Sequence, residues 1–158
     1  MVKEKTCCFT GHRIVSNSFD TTLIERGIEY LINHGVDSFI CGGALGFDTL
    51  CARAVLAARE LHPHIKLYIF APCNNQERLW SKSEQNEYKK ILEKADFVDI
   101  PNRAYYNGCM KERNYKMVDF SAYCICYLNT PYSGTGQTYR YAQKSGLTVY
   151  NLAGRKNE

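Results

Sequence analysis

The chain has 158 residues, 45% of them hydrophobic and 23% charged, with a net charge of +4. Those values describe one globular domain that can bury a core without disulfide support, and they exclude collagenous and low-complexity classes. The basic residues are scattered, which suits a small anionic ligand and argues against nucleic acid as a partner.

The start Met1-Val2-Lys3-Glu4-Lys5 lacks the apolar core of a signal peptide, and no apolar run approaches the ~20 residues that span a bilayer. A cytoplasmic protein without a membrane segment is therefore expected. The eight cysteines contain no Cys-x-x-Cys pair, and most fall in apolar strand or helix patterns. They read as small core residues and not as metal ligands. Cys73 and Cys109 lie in predicted loops, where a thiol could react.

The first strand is predicted over Thr6–Phe9 and runs into Thr10-Gly11-His12-Arg13. Arg13 could hold a phosphate in a bidentate fork, and His12 could donate to it or stack on a base. A helix follows from Asp20 to His34, capped by Asp20 or Thr21 and ended by Gly35. The second strand, Ser38–Cys41, delivers Gly42-Gly43-Ala44-Leu45-Gly46-Phe47-Asp48, and a helix runs from about Leu45 to Leu61. Glycines here permit positive φ and close backbone approach, while a helix N-terminus offers free N–H groups to an anion. Asp48, in the first helical turn, could cap that turn or hold a ribose hydroxyl.

A third strand is predicted over Lys66–Ala71, followed by a polar stretch, Asn74–Lys82, in which Trp80 is either a lid or a loop anchor. A surface helix over Ser83–Lys94 and a short strand over Phe97–Ile100 lead to Tyr105-Tyr106-Asn107-Gly108, whose rings could stack on a base. A helix from Met110 to about Asp119 precedes the strongly apolar strand Ala122–Leu128. That strand exits into a Ser/Thr/Gly loop, Asn129–Thr138, and Ser133, Gly134, Thr135 and Gly136 form a third candidate phosphate cradle. A helix over Tyr139–Lys144 and a strand over Thr148–Leu152 complete a single domain, 1–152, with 153–158 as a frayed tail. Alternating strands and helices predict an α/β fold with a mostly parallel sheet of about six strands, and ligands bind such sheets at the carboxyl ends of the strands.

Thr10-Gly11-His12-Arg13, the Gly42–Asp48 motif, Met117-Val118-Asp119 and Ser133-Gly134-Thr135 with Tyr141-Ala142 together resemble the YpsA-like family. That family belongs to the SLOG superfamily of Rossmann-like domains, with the DprA proteins and the LOG phosphoribohydrolases among its relatives. The resemblance implies a Rossmann-like three-layer sandwich that binds or senses a nucleotide derivative, with NAD or ADP-ribose as candidate ligands, and a chain that self-associates. It implies contacts from Gly11, His12, Arg13, Gly42, Gly43, Ala44, Gly46, Asp48 and the Ser133–Gly136 loop.

LOG enzymes cleave the N-glycosidic bond of nucleoside monophosphates with an Arg and a Glu. Arg113 matches the first, but Arg140 stands where the Glu is expected, and an arginine cannot stabilise an oxocarbenium-like state. A hydrolase would have to use Arg113 with Glu112 or Asp48. A dehydrogenase is disfavoured because the first turn is Thr-Gly-His-Arg and not Gly-x-Gly-x-x-Gly. DprA-like binding of single-stranded DNA is a third reading.

Overall fold

Strands form where apolar runs lie between polar turns: β1 (Thr6–Gly11), β2 (Ser38–Cys41), β3 (Lys66–Phe70), β4 (Phe97–Asp99), β5 (Tyr123–Tyr127) and β6 (Thr148–Asn151). The structure is a computed structural model and describes residues 1–154. Helices α1 (Thr22–Asn33), α2 (Phe47–Leu61), α3 (Lys82–Lys94), α4 (Cys109–Asp119) and α5 (Gly134–Lys144) alternate with the strands. All strand pairs are parallel, in the order β4-β3-β2-β1-β5-β6.

The order decides where the helices go. Right-handed crossovers carry the chain outward from β1 to β4, which puts α1, α2 and α3 on one face. After β4 the chain returns to the far side of β1, and the reversed direction puts α4 and α5 on the other face. Two cores result. Cys7, Phe9, Phe39, Leu67 and Ile125 pack under α1, α2 and Ile91 of α3, whereas Cys8, Ile40, Cys124 and Cys126 pack under Met117, Val118 and Ala142. Alternation along each strand sends neighbouring side chains to opposite cores. Phe9, Phe39 and Phe47 are fully buried, each worth about 1.5–3 kcal/mol of transfer from water.

The fold is thus the predicted Rossmann-like three-layer sandwich; several element ends shift by one or two residues, β1 running on to Gly11, and three of the differences have a clear local cause. First, α5 begins at Gly134 and not at Tyr139. The Ser133 side chain accepts the Gly136 N–H at 3.0 Å, so this stretch is a capped first helical turn in place of a loop. Second, α2 begins at Phe47 because Gly46 has φ +83° and ψ −122°, outside any helix and costly for other residues. Third, α3 gains Lys82 through a capping box between Ser81 and Glu84. Gly35, at φ +94°, ends α1 as expected. Ala153 packs against the larger core, and the remainder of the predicted tail, 155–158, lies outside the described residues. Among the described residues no helix is long and apolar enough to cross a membrane.

Candidate functional site

The glycine turn after β2 is built around two buried charges. Arg113 on α4 donates through Nη1 to the carbonyls of Gly42 at 2.6 Å and Phe70 at 3.0 Å, and through Nε to Asn114 Oδ1 at 2.8 Å. Asp48 on α2 accepts the Ala44 N–H at 3.2 Å. A β-carbon on Gly42 would lie 2.6 Å from the Arg113 guanidinium carbon and 2.9 Å from an Asp48 carboxylate oxygen. Both groups need the space that only glycine leaves.

Burial pushes the Asp48 carboxyl up to about 6, against the pull of Arg113 and of the Ala44 and Gly42 backbone. Burial also lowers the Arg113 guanidinium from its ordinary value, opposed by Asp48. Arginine nonetheless stays charged in proteins, so the turn rests on a permanent cation beside a carboxyl that titrates near neutrality. Asp48 therefore caps the turn from within, and the Ala44 N–H is spent on it.

The loop after β1 locks onto this turn. The Phe47 N–H donates to the His12 carbonyl at 3.1 Å, and a β-carbon on Gly46 would lie 2.1 Å from the Arg13 carbonyl oxygen. Gly11 is glycine because Phe47 packs against its Cα. His12 Nε2 accepts the Asn129 N–H at 3.1 Å and so bridges the loops after β1 and β5, the point where strand order reverses.

Two cavities open at the carboxyl edge. The first, about 540 Å³, lies beyond β2 and β3 and is lined by Arg13, Ala44, Cys73, Arg78, Trp80, Arg103, Tyr105 and Met110, among others. The second, about 770 Å³, lies between α2 and α3 and includes Arg13, Gly43, Gly46, Asp48, Trp80 and Tyr88. Both volumes suit a small-molecule ligand. Arg13, Leu79 and Trp80 line both. Trp80 meets Tyr88 edge to face at 5.3 Å, and Leu79 and Ile14 are 85% and 86% exposed at the rim of the second cavity.

Among the expected site residues, the structure brings together Arg13, Gly43, Ala44, Gly46 and Asp48 on these cavities. Gly11, His12 and Gly42 lie behind them as framework. Ser133, Gly134, Thr135 and Gly136 line neither cavity: they form the N-terminus of α5 beyond β5, and Ser133 itself caps it. Arg113 and Glu112 also line neither. Glu112 is exposed and accepts from Tyr106, with Arg103 3.4 Å away, and so ties down the loop that carries Arg103.

Arg78 and Arg103 are functional candidates that no sequence motif marks. The signal that reaches them is the rule that ligands bind beyond strand carboxyl ends, since they lie in the loops after β3 and β4. Arg103 also lies over the Tyr106 ring at 4.9 Å. Among the described residues there is no group of three His, Cys, Asp or Glu that could hold a metal ion.

A parallel sheet in this order, with a glycine turn wedged against the first strand's loop, defines a Rossmann-like domain. The chain belongs to the YpsA family: the family profile, described as the YspA SLOG family, matches residues 16–150. It is 31% identical to the SPbeta prophage-derived protein YoqJ of Bacillus subtilis over 121 residues, which cover 69% of this chain and 71% of that one. It is 38% identical to a UPF0398 protein of Halalkalibacterium halodurans over 84 residues, 53% of this chain and 44% of the relative, so the match spans under half of that relative's length.

Among solved structures, DNA processing protein A of Helicobacter pylori, for which a single-stranded DNA binding mode is described, superposes with a TM-score of 0.70 at 19% identity, covering 99% of this chain and 68% of that one. DNA processing protein A of Streptococcus pneumoniae gives 0.69 at 17% identity, covering 96% and 51%. At these identities the likeness is one of fold.

Proposed function

We propose that this domain binds a nucleotide or nucleotide derivative in the first cavity, with phosphate at its arginine rim and the base against Trp80 or Tyr105. One observation carries the reading: three loops, after β1, β3 and β4, each bring an arginine (Arg13, Arg78 and Arg103) to a cavity that also holds two aromatic rings. Cations of separate origin on one concavity concentrate positive potential far more than a net charge of +4 suggests. ADP-ribose, NAD and nucleoside monophosphates all have the required parts. Binding without turnover is the simpler form of this reading, because of Arg113, Glu112 and Asp48 only Asp48 lines a cavity.

The same cluster favours a second reading, the end of a single-stranded nucleic acid. Aromatic stacking with arginine contacts is how single strands are held without base readout, and the single-stranded DNA binding mode described for the Helicobacter pylori fold neighbour adds support. Scattered charge along the sequence argued against nucleic acid, but local clustering in the fold weakens that argument.

Calorimetric titration with AMP, ADP-ribose, NAD and a short oligothymidylate tests both readings. Saturable binding of a mononucleotide or dinucleotide supports the first. Binding of the oligonucleotide alone, falling steeply with salt, supports the second. No heat from any of the four overturns both.

A further inference from the structure

Two thiols left out of the binding reading stand near each other, one on the wall of the same cavity and one just behind it. Cys73 follows β3 and lines the cavity, while Cys109 is the first residue of α4 and lies beside Met110, which also lines it. Both are free and almost wholly buried, and, added to burial, the Cys109 thiol stands close enough to Cys73 to push its pKa up. The segments that carry them are already tied, since the Asn74 N–H donates to the Arg103 carbonyl at 2.7 Å. Cys73 is the cysteine that lines one of the two cavities, and Cys109 lies one residue behind the lining residue Met110.

We propose that Cys73 and Cys109 form a reversible dithiol–disulfide site, oxidised by small hydroperoxides that enter the cavity, and that the disulfide clamps the loop after β3 to the start of α4. The Cys73 thiolate attacks one peroxide oxygen, the O–O bond breaks, and hydroxide or alkoxide leaves with a proton as water or alcohol. The resulting sulfenic acid condenses with the Cys109 thiol: the S–S bond forms, and a water departs. Two electrons pass from the two sulfurs to the peroxide. Arg113 and Arg78 both favour the Cys73 thiolate, against burial and the neighbouring Cys109, which raise its pKa. The reaction is accordingly slow at neutral pH and speeds up as pH rises.

Disulfide formation stands apart from the binding reading; only its effect on the cavity rests on that reading. The full chain is treated with hydrogen peroxide at alkaline pH, digested with trypsin without reductant, and analysed by mass spectrometry. The expected product joins peptide 67–78 to peptide 104–111, disappears with dithiothreitol, and lowers the titratable thiol count by two. In Cys109→Ser, Cys73 should stop as a sulfenic acid that dimedone traps. A Cys73 that stays a thiol, or that pairs with another cysteine, overturns the proposal. In parallel, AMP, ADP-ribose, NAD and a short oligothymidylate are titrated into reduced and oxidised protein. A reduced protein that binds none of them yet forms the link overturns the binding reading and supports this one. Binding with no link does the reverse.

Discussion

The Arg113 guanidinium occupies the space beside Gly42 where every other amino acid would carry its β-carbon, 2.6 Å from that position. The contact joins the second strand's exit to a helix on the opposite face of the sheet, through hydrogen bonds to the Gly42 and Phe70 carbonyls. Gly42→Ala should therefore displace a buried cation and leave two carbonyls unpaired, destabilising the fold by about 3–5 kcal/mol. Arg113→Met should cost a similar amount, by stranding the same carbonyls and leaving Asp48 without a nearby cation. Urea denaturation of both variants is the check, and a loss under about 1 kcal/mol would mean that the turn relaxes around the change.

Two glycines in the first turn of α5 should respond in opposite directions. A β-carbon on Gly134 meets nothing within 4 Å, whereas one on Gly136 would lie 1.9 Å from the Pro131 carbonyl oxygen. Gly134→Ala should stabilise by about 0.5–1 kcal/mol through helix propensity and a less flexible unfolded chain. Gly136→Ala should destabilise. Equal Tm shifts for the two would show that this stretch is not helical.

The pH response follows from Asp48. Its folded-state pKa of about 6 lies above the ordinary value of 3.8, so the folded protein binds the extra proton. The stability it contributes is fully present below 3.8 and lost as pH rises toward 6, up to roughly 3 kcal/mol at about 1.4 kcal/mol per unit. His12 works in the opposite sense: burial lowers its pKa, so its contribution is present above the ordinary 6.5 and lost as pH falls. Tm should be measured from pH 4 to 7 in a His12→Gln background, which keeps an acceptor for the Asn129 N–H. There Tm should fall with rising pH, and adding Asp48→Asn should flatten the slope. An unchanged slope would place the titration elsewhere.

Binding should depend on arginines that no motif marks. Arg78→Ala, at an exposed loop position, should leave Tm within a degree or two and weaken nucleotide affinity about tenfold or more, as expected for loss of a charge-assisted contact. Ser133→Ala, beyond both cavities, should leave affinity unchanged while removing a helix cap worth about 1 kcal/mol. Reversed outcomes, with affinity lost in the serine variant and kept in the arginine variant, would move the ligand to the loop after β5.

Strand and helix placement was legible in the sequence because each element has its own period and punctuation, and β2 matches residue for residue. The start of α5 was misread for a physical reason: glycine weighs against helix in any local reading, yet Gly136 is there to let the Pro131 carbonyl approach. At the site, the glycine turn and Arg13 were visible as local pattern. The alliance of Gly42 with Arg113 was not, since the two are 71 positions apart and meet only through the crossover that carries α4 across the sheet. The roles of Arg78, Arg103 and Glu112 were likewise hidden, because their meaning lies in which loops converge.

Arg13 belongs to both cavities. A single guanidinium cannot neutralise two separate anions at once, so the compartments are rivals for one charge unless one molecule straddles the saddle between them. Titration with a mononucleotide should then saturate at one equivalent, and a longer ligand should gain affinity through its second half without a second binding event.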